Sequence, residues 1–285
     1  MVEDFRRVAI LGLGLIGGSL ALALQARNIA VSGYAHREQT ANLAREAGIP
    51  ATTSLPDAVA DADLVILAVP LRAMADTAIE LARHIGATDD ATVMDVGSVK
   101  GPVREAIEAA GLGERFVGAH PMAGNEYSGF AAATNTLMLN APWAVTTRHS
   151  ARAERVAEPR ANRIIHFIET VLDGNVTVLT DAAHDEAAAL ISHVPHVVAT
   201  QLLNAVAQSP LRDEALALAA GSFRDGTRVA HTDPARTEAM VAENAAHVAP
   251  ALRRAAADLA ALAAALETGA STTTFFHTAD SLRMS

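Results

Sequence analysis

The chain has 285 residues, enough for one large domain or two of ordinary size. With 51% hydrophobic and 19% charged residues it has the material for a core and is not a disordered chain, although aromatics at 4% leave the packing to Ala, Leu, Val and Ile. A net charge of −10 argues against a generic binder of nucleic acid or anionic lipid, and the absence of cysteine excludes disulfides, thiolate metal sites and a cysteine nucleophile.

The first apolar run, residues 8–26, is uncharged throughout and imitates a signal peptide or a membrane span. Glu3 and Asp4 precede it beside Arg6 and Arg7, and four glycines interrupt it. The expectation is therefore a soluble, cytoplasmic protein with no targeting peptide and no membrane partner. VAILGL (8–13) reads instead as a buried strand, followed by a helix from Leu15 to Arg27. IAVSGY (29–34) is a second strand, followed by a helix near 38–47. LVILAV (64–69), TVMDVG (92–97), FVGAHP (116–121) and APWAVTT (141–147) continue the series. Val- and Ile-rich runs without polar alternation are strands covered on both faces, and helix-length connections between them make a parallel sheet.

Beyond about residue 150 the strand-like runs nearly vanish, apart from VTVL (176–179), and Ala/Leu-rich stretches take over. One helix is expected over 181–208, kinked at Pro195. Another runs over 211–221, ended by Gly221. One or two more span 234–268, starting at Asp233-Pro234 and breaking at Pro250. The terminal STTTFFHTADSLRMS is expected to be loosely ordered. The fold class is thus α/β: an N-terminal Rossmann-like, doubly wound parallel sheet plus an all-α C-terminal domain. The dinucleotide-binding domain is expected over 1–150 and a helical substrate-binding and dimerisation domain over 151–285. The stretch 251–266 is more apolar than a solvated helix should be, which points to a homodimer through the helical part.

Gly12, Gly14 and Gly17 form G-x-G-x-x-G between the first strand and the first helix. The first glycine permits the turn, the second lets a pyrophosphate approach the backbone, and the third lets helix and strand pack closely. The helix start at Leu15 and Ile16 then offers free N–H groups and partial positive charge to phosphates. No acid ends the second strand to accept from a ribose 2′-OH. The chain reads His36-Arg37 there, which suits a 2′-phosphate, so NADP is preferred over NAD. Val69-Pro70 closes the third strand where such folds pass beneath the cofactor riboses.

Ser98 follows the fourth strand, placed to N-cap the helix that starts at Gly101-Pro102 and within reach of a ligand. Lys100, two residues on, is the only lysine of the chain. His120 ends the fifth strand, and its ordinary pKa near 6.5 suits a base that takes a hydroxyl proton as hydride leaves the same carbon. Pro195 interrupts the helix at Ser192-His193-Val194-Pro195-His196 and can aim His196 inward; the H-x-x-H spacing lacks a carboxylate and is not read as a metal site. Arg224 and Arg228, close to Gly221 and Gly226, suit an anion clamp with Asp225 holding an arginine in place.

These pieces together resemble the prephenate/arogenate dehydrogenase family of tyrosine biosynthesis: GLGLIGGSLA (12–21), DVGSVK (95–100), GAHPMAGNE (118–126), HDEAAALISHVPH (184–196) and GSFRDGTRVAHTDP (221–234). They come in the family's order and cover residues 7 to 265. The resemblance implies oxidative decarboxylation of prephenate or arogenate, with hydride passing to NADP or NAD. It implies that His120 is the base on the ring hydroxyl, with Ser98 in support. Arg228 would bind a substrate carboxylate, oriented by Asp225. His196 and the Gly221 backbone would meet the substrate side chain, and Glu126 and Ser192 would shape the pocket. Many members carry a regulatory ACT domain or a fused chorismate mutase, for which these residues leave no room. A β-hydroxyacid-type dehydrogenase is the nearest enzyme alternative, but it needs a lysine in the second half, where there is none. A non-catalytic NADP-sensing protein would need the glycines but not His120 with Arg228.

Overall fold

A computed structural model describes residues 5–85, 90–125, 127–147 and 158–283. An eight-stranded sheet carries the first part of the chain: β1 (Arg7–Leu11), β2 (Ala30–Tyr34), β3 (Ala51–Thr52), β4 (Leu64–Leu67), β5 (Thr92–Asp95), β6 (Phe116–Pro121), β7 (Pro142–Thr147) and β8 (Asn175–Thr180). Their spatial order is β3-β2-β1-β4-β5-β6-β7-β8, the doubly wound arrangement with a crevice where the order reverses between β1 and β4. Helices α1 (Leu15–Gln25), α2 (Glu38–Glu46), α3 (Leu55–Val59), α4 (Met74–His84), α5 (Gly101–Ala109) and α6 (Pro159–Val171) connect the strands.

Alternation along each strand explains why both faces are covered. Val8 and Ile10 of β1 join one core with Leu64, Ile66, Met94 and Phe167, while Ala9 and Leu11 join the other with Val65, Leu67, Val93 and Ile107. All of these side chains are buried, so β1, β4 and β5 show no polar face, whereas the edge strand β8 exposes Asn175 and Thr177.

Three features depart from the expected pattern. β3 is a two-residue strand that no apolar run announces. β7 runs antiparallel to β6, with His120 opposite Ala144. Residues 122–141 between them hold no crossover helix, and without one the returning strand pairs antiparallel. β8, the VTVL run, then joins β7 in parallel through the crossover helix α6. The expected boundary at 150/151 lies outside the described residues.

Beyond the sheet come α7 (Asp181–Ala188), a π-helical turn (Ala189–His193), α8 (Val194–Ala207), α9 (Arg212–Ala217), α10 (Gly221–Thr227), α11 (Pro234–Glu243), α12 (Ala245–Thr268), α13 (Thr273–His277) and α14 (Asp280–Arg283). Pro195 lies just after the π turn in a continuous helical run over 181–207, and the interruption expected there is that π turn. Gly221 begins α10 rather than ending the helix before it. Asp233 caps α11 as expected, its carboxylate accepting from the Arg236 N–H at 3.0 Å. The break in 234–268 falls at Asn244, not Pro250, which lies inside α12. The expected loose terminus contains the short helices α13 and α14.

Candidate active site

The carboxyl ends of β1, β4, β5 and β6 share one edge of the sheet, and the sequence-expected groups gather there. Gly12 has φ +107°, and a Cβ on it would stand 2.6 Å from the Ala68 carbonyl oxygen at the end of β4. A Cβ on Gly17 would meet the Gly12 carbonyl oxygen at 1.9 Å. Gly14, by contrast, faces open space, with nothing within 4 Å of a Cβ. Two glycines therefore let the turn and helix pack, and the middle one leaves a cradle. No side chain caps α1, so the first-turn N–H groups at Leu15 and Ile16 point at that cradle with the positive end of the helix dipole. This fits a dinucleotide pyrophosphate.

At the end of β2 the carbonyl of Tyr34 accepts from Gly12 N–H at 2.9 Å, which joins the two turns. His36 and Arg37 follow and are exposed, and Arg37 has no ion pair among the described residues. Glu38, the first acid after them, is held by Arg45 at 2.6 Å. Val69 is half-buried and Pro70 exposed at the end of β4.

Beneath the site lies a fully buried ion pair, Asp95 with Lys100. Burial pushes the Asp95 carboxyl up and the Lys100 ammonium down, and each partner opposes the shift of the other. The pair holds both backbone groups of Ala119: Lys100 Nζ donates to its carbonyl at 2.7 Å, and its N–H donates to Asp95 Oδ1 at 3.1 Å. Ala119 precedes His120, so the sole lysine of the chain fixes the backbone that carries the expected base. Ser98 is half-buried on the same loop, but the cap of α5 is at Lys100, not Ser98. What secures that helix start is remote. Asp185 accepts the Lys100 N–H at 2.7 Å and the Gly101 N–H at 2.9 Å, the capping bond supplied from α7.

Asp185 also reaches towards the expected base. His184 Nδ1 lies 2.8 Å from its carboxylate, and His184 Nε2 lies 2.9 Å from His120 Nδ1. The carboxylate accepts, so His184 carries its hydrogen on Nδ1 and offers a lone pair at Nε2. His120 then donates from Nδ1 and keeps its Nε2 lone pair free. Burial works to raise the Asp185 carboxyl, but hydrogen bonds from His184 and the two backbone N–H groups hold it below the usual carboxylate range. Burial, reinforced by His184, Lys100 and His193, lowers His120 well below the ordinary histidine value. It is therefore an unprotonated base at neutral pH.

The helical part carries the remaining expected residues. His196 Nδ1 donates to the Ser192 carbonyl at 2.8 Å, and both residues are half-buried. Arg228 opens a short helical turn packed on α8, and it is exposed with no partner among the described residues. Gly221 and Asp225 are exposed as well. Asp225 forms no ion pair with Arg228 or Arg224 among the described residues, so the orienting role expected of it is not seen. Glu126 lies outside the described residues. Next to it, Arg236 of α11 donates to the carbonyls of Asn125 at 3.1 Å and Tyr127 at 3.5 Å, strapping the loop after β6 to the helical unit.

Sequence reading missed His184, Asp185, Asp95 and Asn244. The signal for the first two was a His-Asp pair in an Ala-rich helix. For Asp95 it was an acid at a buried strand end, five residues before the only lysine.

Comparison with known proteins gives matches to both parts of the chain. A family model described as "Prephenate dehydrogenase, nucleotide-binding domain" matches residues 20–166, and one described as "Prephenate dehydrogenase, dimerization domain" matches residues 180–278. A cyclohexadienyl dehydrogenase of Zymomonas mobilis is 35% identical over 268 residues, 92% of this chain and 89% of that protein. A prephenate dehydrogenase of Lactococcus lactis is 32% identical over 80% of this chain, which spans only 62% of that protein's length. Among solved structures, Aquifex aeolicus prephenate dehydrogenase in complex with hydroxyphenyl propionate and NAD+ superposes with a TM-score of 0.85. It is 28% identical, with 100% of this chain and 99% of that one covered.

Proposed function

Because the chain belongs to the prephenate dehydrogenase family, we propose that its site performs the oxidative decarboxylation of prephenate or arogenate, to 4-hydroxyphenylpyruvate or tyrosine. The observation that carries the reading is the chain of hydrogen bonds His120–His184–Asp185, which leaves an unprotonated imidazole nitrogen on His120 near the carboxyl end of β6.

A dinucleotide held at the Gly12–Gly17 turn would supply, through its nicotinamide, the hydride acceptor for the carbinol carbon. His120 Nε2 takes the hydroxyl proton as that hydride leaves. Loss of carbon dioxide returns an electron pair through the ring to the oxygen, and His120 can give the proton back to it. Asp185 fixes the tautomer of His184, and His184 fixes that of His120, so neither ring has to reorient in the step. Such a positioned base contributes about 10²–10⁴-fold. Ser98, on the loop beside Lys100, supports the hydroxyl. Arg228 is a free cation in a protein of net charge −10 and suits a substrate carboxylate. His196 and Ser192 line the side-chain end, with the Gly221 backbone.

The cofactor is a nicotinamide dinucleotide, and our choice is NADP. Arg37 is exposed and unpaired among the described residues, while the acid beside it is occupied by Arg45. We divide the chain near Thr180, which ends the sheet and caps α7. We also infer a homodimer through the helical unit. The apolar stretch 181–207 is mostly unburied within one chain, with Leu190, Ile191, Val198 and Leu202 exposed, as are Leu259 and Leu266 on α12. The test of function is absorbance at 340 nm in four mixtures, prephenate or arogenate with NAD or NADP. Growth of the signal with either substrate is expected, steepest with NADP; silence in all four overturns the reading.

A further inference from the structure

The helical part contains a second histidine system that the reaction as described does not use. Asn244, at the break between α11 and α12, donates from Nδ2 to the Asp185 carbonyl at 2.8 Å. A carbonyl only accepts, so this bond fixes which end of the amide is nitrogen. The same Nδ2 lies 3.0 Å from His193 Nδ1, and Asn244 Oδ1 accepts from His247 Nδ1 at 2.9 Å. His193 Nδ1 is thereby an acceptor, and the single hydrogen of the neutral ring sits on Nε2. That Nε2 is buried and has no partner, on a side chain with no exposure at all. A buried N–H without an acceptor is costly, and folded proteins rarely keep one without a use.

Its place says what the use is. His193 ends the π turn Ala189–His193, an irregularity often found at functional sites. Asn244 ties it to the backbone of Asp185, whose carboxylate holds His184 against His120, so the ring sits among the groups of the site. We infer that His193 is a ligand-binding residue whose Nε2–H donates a hydrogen bond to a carbonyl or carboxylate oxygen of the substrate held beside His120. The inference rests on the function proposed above. A neutral donor with a fixed tautomer accepts such an oxygen without bringing another charge near the base. The ring stays neutral because burial outweighs the attraction of Asp185 and lowers its pKa to about 4.

The experiment compares His193→Asn with His193→Gln. Asparagine keeps an acceptor for Asn244 and removes the distal donor, whereas glutamine returns an N–H near the Nε2 position. The probe is hydroxyphenylpropionate, titrated onto the enzyme with nicotinamide dinucleotide present, with prephenate KM measured in parallel. Asparagine should weaken probe binding and raise KM about ten- to a hundredfold, leave cofactor affinity alone, and be partly rescued by glutamine. Wild-type affinity in the asparagine variant overturns the inference. Should that variant not fold, the ring ¹⁵N and Nε2–H signals of His193 in the unmodified protein decide instead. A shift on adding the probe supports the donor, and no shift overturns it. If the unmodified enzyme neither binds the probe nor oxidises prephenate or arogenate, it is the proposed function that fails. If it does both while the variants behave like it, only the role of His193 falls.

Discussion

His120 Nδ1 stands 2.9 Å from His184 Nε2, and that contact joins the sheet to the helical unit at the reacting end of the site. The two rings meet edge-on, with centroids 5.1 Å apart. His184 is in turn fixed by Asp185, the residue that caps α5. One carboxylate thus orients the base and anchors the loop that carries Ser98 and Lys100.

Two substitutions separate the base from its support. His120→Asn should keep dinucleotide binding and lower kcat by about 10²–10⁴. His184→Leu removes the acceptor for His120 Nδ1–H. Its kcat should fall by a smaller factor, while the acidic limb of the kcat/KM profile moves up in pH because His184 is one cause of the lowered His120 value. An unmoved limb with unchanged kcat removes His184 from the mechanism.

The buried pair below the base makes a stability prediction. Lys100→Met leaves Asp95 alone in the core and should cost about 3–5 kcal/mol, read from the urea midpoint. Adding Asp95→Asn should recover much of that stability. It should not recover turnover, because nothing then replaces the bond from Lys100 to the Ala119 carbonyl. Full activity in the stable double variant contradicts the positioning role of the pair.

The glycine turn predicts opposite outcomes at neighbouring positions. Gly14→Ala faces empty space and should leave the melting temperature within a degree or two, while weakening dinucleotide affinity by about tenfold. Gly17→Ala drives a methyl into the Gly12 carbonyl and should destabilise the fold itself. Equal stability losses in both would mean that the cradle at Gly14 is not open.

Arg37 and Arg228 should dissociate cleanly. Arg37→Ala is expected to raise the KM for NADP at least tenfold and leave that for NAD, and for substrate, nearly unchanged. Arg228→Ala is expected to raise substrate KM by one to two orders of magnitude with cofactor affinity intact. A loss of NAD and NADP affinity together in the first variant argues against a 2′-phosphate contact.

Acid should weaken the fold through its neutral histidines. The unfolded chain binds protons near pH 6.5, which the folded chain refuses at His193 until about pH 4. Stability is therefore full above pH 6.5 and falls as pH drops towards 4, by up to about 3 kcal/mol from this residue. His120 acts in the same direction, and Asp185, held below the usual carboxylate range, carries the loss to lower pH. Urea midpoints at pH 7 and pH 4.5 measure the slope, and His193→Asn should flatten it.

The strands β1, β2, β4, β5 and β6, the glycine turn and the histidine proposed as the base were legible in the chain because each is a local signal. Apolar runs between helix-length connections, glycine spacing and a histidine at a strand end need no knowledge of distant residues. The antiparallel turn of β7 was readable only in hindsight, from a connection without a helix. Pro250 misled because a proline ordinarily interrupts a helix, yet α12 runs through it and the break belongs to Asn244. Nothing near Asn244 in sequence announces that its amide is spent on Asp185, His193 and His247.

What the sequence determined by itself was the kind of fold and the kind of cofactor, and it singled out the histidine we propose as the base. What tertiary structure alone decided was the protonation geometry. Residues 120, 184, 185, 193 and 244 come from four separate elements, and a tautomer is set by whichever partner folding places within 3 Å. Composition and spacing carry no record of that distance, and the direction in which His120 offers its lone pair follows from it.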